Sequence, residues 1–251
     1  VIETGATITS AGDSLRTAHG IRSRTLFSIL VNIFGDKVVA GGYVFERPPM
    51  LFQVAWQTSQ GGNAPQVRVT VPEGASVKEI GDILGAALPD FDKVAFTKVA
   101  VGNAGYLFPE TYFFTPGTAP QTVVAAMRRT FDEKITTLAP DIASSTHTLG
   151  DVVILSSILE KEARPKDQSI IAGILWKRLS IGMRLQVDVD PSTYDHAGLP
   201  PRPIGNPGLG AIAAALHPTK TPYLYYLTGS DGTMHYAKTF AEHTANRKYL
   251  K

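Results

Sequence analysis

The run DVVILSSILEKEARP, residues 151–165, places two glutamates at the end of an aliphatic segment. With Leu155 as origin and an advance of about 100° per residue, Ile158, Leu159, Val152 and Ile154 fall at about 300°, 40°, 60° and 260°, which defines one apolar helix face. Glu162 falls at about 340°, in the middle of that face, and Glu160 at about 140°, beside Ser156 and Ser157 on the polar side. A carboxylate on an apolar face is costly to ionise, so its pKa rises and it holds its proton closer to neutral pH. That is the state a general acid needs. The alternative is a helix that has already ended by Glu162, three residues before Pro165, with the side chain leaving the core; spacing alone leaves both open.

Downstream, KDQSIIAGILWKRLSIG (166–182) carries Ile170, Ile171, Ile174, Leu175 and Leu179 as a helical stripe closed by Gly182. MRLQVDVDPSTYDHAGLPPRPIGNPG (183–208) follows as a long polar loop rich in Pro and Gly. Loops of that length inside a compact domain are more often functional than connective, and residues 198–210 are expected to wall a groove at Glu162. The chain continues as an Ala-rich helix ending at His217-Pro218, a hairpin YLYYLTGSDGTMHYAKTF (223–240) and a short polar helix.

Upstream, DSLRTAHGIRSRTLFSILVNIFG (13–35) reads as two helices, the second with Leu26, Ile29, Leu30 and Ile33 at helical spacing. KVVAGGYVFE (37–46) reads as a strand, and PPMLFQVAWQTSQGG (48–62) as a helix dissolving into a Gly-rich stretch. Val67, Val69 and Val71 alternate as in a strand, and Ser76 with Glu79 has the capping-box spacing of a helix start. AGYLFPETYFFTPG (104–117) reads as buried irregular chain or a short strand, before a helix through TVVAAMRRTFDEKI (122–135). These elements amount to an α+β fold, with residues 1–104 an N-terminal module and 105–251 the region carrying the glutamates.

Of the 251 residues, 43% are hydrophobic and 18% charged, a composition able to bury a real core. The net charge of +2, without a basic run, argues against a nucleic-acid binder. The absence of cysteine removes disulfides, thiolate metal sites and a cysteine nucleophile. No stretch reaches the roughly 18 apolar residues of a membrane span, and since the chain starts at Val1, an upstream anchor or signal is compatible with it. No phosphate loop and no HExxH motif occurs, so neither a metal nor a cofactor is expected.

Several ordered segments resemble one family. SSILEKEA (156–163), RLSIGMRLQVD (178–188), TYDHAGLPPRPIGNPG (193–208), AAALHPTKTPYLYYL (213–227) and HYAKTFAEHTANRKYL (235–250) follow one another as in the YceG-like family of endolytic murein transglycosylases. KVVAGGYVF, VTVPEGASVKEI and GYLFPETYFF extend the likeness over nearly the whole chain. The resemblance implies that Glu162, the second Glu of the Glu-Lys-Glu motif, is catalytic, which is the residue the helical spacing selects. Glu160 would be a supporting neighbour.

It further implies a small LysM-like N-terminal module and a catalytic domain that cleaves the MurNAc-β-1,4-GlcNAc bond of peptidoglycan strands without water, leaving 1,6-anhydro-MurNAc ends. The expected location is the outer face of the cytoplasmic membrane, through an N-terminal anchor absent here, with nascent glycan strands and cell-wall synthesis proteins as partners. Gln186 and Asp188 match the family's RLQTD stretch as ligands of the sugar, with loop capping as their plainer role. Tyr194 is a candidate to stack on a sugar, Asn206 a ligand or a helix cap, and His217 a groove or structural residue. His235 and Lys238 are weaker candidates. Between RLQVD and TYDHAGLPP relatives commonly carry a longer segment, and Ser192-Thr193-Tyr194 stands where they read Asn-Thr-Tyr. Two other readings remain: an inactive glycan-binding scaffold, or a muramidase using Asp188 or Asp190 to activate water.

Overall fold

The computed structural model describes residues 1–3, 5–45 and 48–250. The chain runs α1 (Ile8–Thr17), α2 (Arg24–Phe34), α3 (Leu51–Gln60), β1 (Val67–Thr70), α4 (Val77–Ala87), α5 (Lys93–Ala100), β2 (Thr111–Phe114), α6 (Pro120–Ile135), α7 (Ala139–Ser144), α8 (Leu149–Glu162), α9 (Pro165–Ser180), α10 (Leu209–Leu216), β3 (Tyr225–Thr228), β4 (Met234–Ala237) and α11 (Phe240–Asn246). It is a mixed α and β fold whose strands form two separate antiparallel pairs. No single helix among the described residues is long and apolar enough to cross a membrane.

Two compact units interleave along the chain. One comprises Val1–Thr70, Gly81–Val99 and Thr111–Ala125, the other Val71–Ile80, Ala100–Glu110 and Ala126–Lys251. In the first, α2 and α3 bury Phe27, Val31, Val54 and Ala55 together with Ile21. The helix at residues 24–34 forms as its spacing predicts, but with a different face inward: Leu26, Ile29 and Ile33 are exposed while Phe27 and Val31 are buried. β1 pairs with β2 from Val67↔Phe114 to Thr70↔Thr111.

The strand expected at residues 37–46 does not form over the described positions; Glu46 lies outside them. Only the isolated bridge Ile2↔Gly41 occurs there. Gly41 has a φ of 152°, and a Cβ on Gly42 would clash with Ala64 and Thr115 at 2.8–2.9 Å. The two glycines therefore serve a close chain approach, which replaces a regular ladder.

In the second unit α8, α9 and α10 enclose the core. Leu155, Ile158, Leu159, Ile171, Leu175 and Ile212 are fully buried, each contributing about 1.5–3 kcal/mol relative to an exposed side chain. α8 starts at a capping box in which Thr148 and Asp151 bond each other's backbone N–H, and Ser76 with Glu79 forms the one expected before α4. Ser156 and Ser157 are also buried, so the polar side of α8 is covered as well. Their hydroxyls donate to Val152 O and Ile154 O, and Ser157 Oγ accepts the Ile204 N–H.

α9 ends in a Schellman turn. The Met183 N–H bonds Arg178 O, the Gly182 N–H bonds Leu179 O, and Gly182 takes the left-handed φ of 69° that this turn favours. β3 and β4 pair from Tyr225↔Ala237 to Thr228↔Met234.

Candidate functional site

Glu162 is the last residue of α8 and remains half-buried. The helix reaches it and stops there, because Ala163 turns to an extended φ of −133°. The Tyr226 hydroxyl on β3 donates to Glu162 Oε1 at 3.2 Å. Burial pushes the carboxyl above its usual range, the Tyr226 hydrogen bond pulls it down, nearby Asp188 pushes it up again, and Arg178 opposes that push.

Arg178 on α9 is only 5% exposed. Its Nε donates to Leu224 O at 2.6 Å and its Nη1 to Leu185 O. The guanidinium carbon lies 5.3 Å from the centre of the Tyr225 ring and 5.9 Å from that of Tyr226. The buried cation is thereby held by two carbonyls, linking α9, the start of β3 and the loop after α9.

Beyond the Schellman turn, Leu185 and Val187 point inward while Gln186 and Asp188 are exposed. Gln186 holds a left-handed φ of 51°, a conformation that costs a non-glycine residue about 1–3 kcal/mol and persists only where its surroundings impose it. The fixing residue is Thr193, 2% exposed, whose Oγ1 accepts the Val187 N–H at 3.0 Å and donates to Asp190 O at 2.7 Å. Tyr194 then donates its hydroxyl to Asp188 Oδ1 at 2.6 Å, and this carboxylate acceptor, with burial second, pushes the phenol up to about 12. Asp190 Oδ1 accepts from the N–H and hydroxyl of Ser192, so its carboxylate holds the loop.

These residues line one cavity of ≈ 520 Å³, with Glu162, Arg178, Gln186, Asp188, Tyr194 and Tyr226 on its surface and Phe240, His243 and Arg247 as a further wall. That volume lies within the range of small-molecule sites. A second recess of ≈ 290 Å³ shares Glu162 and Thr228 with it. Glu162 thus borders both recesses.

Other sequence candidates lie elsewhere. Glu160 lines neither recess; its Oε2 accepts the Gly208 N–H at 2.9 Å, just ahead of α10. Burial, with the neighbouring Glu73 as a lesser cause, also pushes this carboxyl up, against the Gly208 hydrogen bond. The direction of the shift is therefore common to both glutamates, and position separates them. Asn206 is 1% exposed: its Oδ1 accepts the Leu107 N–H at 2.9 Å and its Nδ2 donates to Ala75 O at 2.8 Å. The N-cap of α10 is Gly208, two residues later. His217 Nε2 lies 3.3 Å from Asp141 Oδ2 at the exposed end of α10. His235 stacks on Tyr249 at 3.8 Å, and the Lys238 N–H donates to Glu242; neither lines the groove.

The expected Pro- and Gly-rich wall is replaced by β3 and α11, since Gly198, Leu199, Pro200 and Pro201 line a separate cavity with Ser192, Thr193 and His196. Arg178, Tyr225 and Tyr226 were not singled out by the sequence. A signal for Arg178 existed: seven residues after Ile171, it falls at about 340° on the apolar stripe of α9, the same offset as Glu162 from Leu155. No group of three or more His, Cys, Asp or Glu residues placed to hold a metal occurs among the described residues.

Comparisons with known proteins agree over nearly the full length. The YceG-like family model matches residues 1–191 and 192–249, its two parts meeting at Pro191 and Ser192 in the loop after α9. An endolytic murein transglycosylase of Bacillus subtilis is 27% identical, over 99% of this chain and 84% of its own. One of Streptococcus pneumoniae is 23% identical over 98% of this chain, which spans 57% of that relative's length. A crystal structure of a YceG-like protein from Listeria monocytogenes superposes with a TM-score of 0.64 at 24% identity, covering 97% of this chain and 96% of the other.

Proposed function

This chain belongs to the YceG-like family, and from that premise we propose that it is an endolytic murein transglycosylase in which Glu162 alone acts as acid and then as base. The observation that carries the assignment is the position of Glu162, half-buried and bordering two recesses with its carboxyl pushed toward the protonated form. The substrate is peptidoglycan and the place of action the cell envelope.

Glycosidases ordinarily need two carboxylates, one as acid and the other as base or nucleophile. Here protonated Glu162 delivers its proton to the glycosidic oxygen of the MurNAc-β-1,4-GlcNAc bond, and the bond from that oxygen to the anomeric carbon breaks. The Glu162 carboxylate next accepts the proton of the same MurNAc C6 hydroxyl as its oxygen bonds the anomeric carbon, which closes the 1,6-anhydro ring and restores the acid. Positioned proton transfer contributes about 10²- to 10⁴-fold, and the rest falls to binding and electrostatics.

The Asp188 carboxylate favours the positive charge that develops on the sugar ring. Gln186 and Tyr194 hold sugar hydroxyls or N-acetyl groups. Arg178 and Tyr226 limit how far the Glu162 pKa rises, so that the same group can work in both directions. Residues 1–104 act as a LysM-like module that engages glycan, residues 105–251 form the catalytic domain, and an N-terminal anchor places the enzyme beside cell-wall synthesis proteins.

Asp188 also favours a second reading, a muramidase with Asp188 as base, because it shares the groove with Glu162. Mass spectrometry of digested uncrosslinked strands separates the two, since an anhydro end is lighter than a reducing end by one water. The wild type is expected to give anhydro ends and Glu162→Gln none, with the fold retained because Gln keeps the shape of Glu. Near-wild-type turnover by Glu162→Gln would overturn the assignment.

A further inference from the structure

The smaller recess differs in chemistry from the larger one. The larger is lined by Tyr194, Tyr225 and Tyr226 beside Gln186 and Asp188, an aromatic and polar lining suited to a sugar. The smaller is lined by Lys161, Glu162, Ala163, Arg164, Asp167, Thr228, Gly232 and Met234. It offers no aromatic face, and its two cations come from the join of α8 and α9.

Arg164 is the N-cap of α9 and is exposed. Its guanidinium lies against Gly232 in the β3–β4 turn, where a Cβ would collide with Arg164 Nη2. That approach places the arginine beside the turn without neutralising it: no carboxylate among the described residues lies within ion-pair distance of Arg164. Lys161 reaches Glu79 only at 3.9 Å. Of the two acids in the recess, Asp167 accepts the Tyr236 hydroxyl at 3.2 Å, and the Glu162 carboxyl is pushed toward its neutral form. Arg164 therefore lines the recess as a cation without an ion-pair partner among the described residues, beside Glu162. Arginine suits carboxylates because its planar fork matches their two oxygens.

Resting on the transglycosylase reading, we propose that this recess receives a carboxylate of the stem peptide borne by the strand being cut, with Arg164 as its ligand, while the larger recess holds sugar. The enzyme then recognises peptide-bearing strands next to the bond it breaks and discriminates against strands whose stems have been removed or amidated.

The test is equilibrium binding to three sets of uncrosslinked strands, all measured in the Glu162→Gln background: stems with free carboxylates, the same stems with carboxylates amidated, and strands stripped of peptide. Free stems are expected to bind about fivefold more tightly than amidated ones, in line with an accessible ion pair, and the ratio should shrink as salt is added. Arg164→Gln brings the ratio of free to amidated affinity to about one, and Arg164→Lys retains part of it. A ratio near one in the Arg164-intact protein, or a ratio that survives Arg164→Gln, overturns the proposal. Anhydro ends formed by Glu162→Gln would sink the catalytic assignment instead, whereas the ratio decides the recess by itself.

Discussion

Tyr226→Phe removes the hydroxyl that donates to Glu162 and keeps the ring that faces Arg178. A hydrogen bond to an ionised group contributes about 1.5–3 kcal/mol. At 3.2 Å this one is longer than the usual hydroxyl range, so the low end applies. Since one pH unit corresponds to about 1.4 kcal/mol, losing the bond destabilises ionised Glu162 by about one pH unit. Burial and Asp188 still favour the neutral form, with only Arg178 opposing them. The proposed acid step needs protonated Glu162, so its rate is expected to fall as pH rises through that pKa. The basic limb of the kcat/KM profile, measured by release of anhydro ends, is therefore expected to move up by about one pH unit in Tyr226→Phe. A limb that stays in place or moves down refutes the role given to Tyr226 and weakens the case that Glu162 carries the proton.

Glu162→Gln also has a stability signature. A carboxyl whose pKa is raised by folding weakens the fold as pH climbs from its ordinary value to the raised one, so the variant's Tm should match wild type in acid and exceed it increasingly over that window, as scanning calorimetry can show. Arg178→Met leaves Leu185 O and Leu224 O without their donors, at about 1–3 kcal/mol each; a Tm lower by roughly 10 °C is expected for a chain of this size. Asn206→Ala strands the buried Leu107 N–H and should cost about 1–3 kcal/mol in denaturant unfolding. Glu160→Ala strands the Gly208 N–H but relieves repulsion from Glu73, so its cost should stay near 1 kcal/mol.

Periodicity located most helices, because a chain must bury an apolar stripe somewhere. It could not say which side would be covered. In α2 the buried residues are Phe27 and Val31, and Leu26, Ile29 and Ile33 remain outside; in α8 even the serine side is enclosed. Those outcomes depend on neighbouring elements that a wheel does not contain. Glu162, expected from its helix face, and Gln186, Asp188 and Tyr194, expected through motif resemblance, line one cavity. Tyr226 becomes a partner of Glu162 only when the hairpin meets α8, 64 residues away in sequence. Asn206 shows the converse: a polar residue in a conspicuous loop whose bonds go to backbone at Ala75 and Leu107.

The groove is assembled from segments far apart along the chain, and this has a consequence for the order of synthesis. A growing chain that has reached Tyr223 already contains Glu162, Arg178 and the whole 186–194 loop, yet lacks Tyr226 and the wall at Phe240, His243 and Arg247. Ribosomes add roughly 5–20 residues per second, so an interval of seconds separates the appearance of Glu162 from that of its surroundings. A nascent or prematurely terminated chain carries a glutamate without a groove.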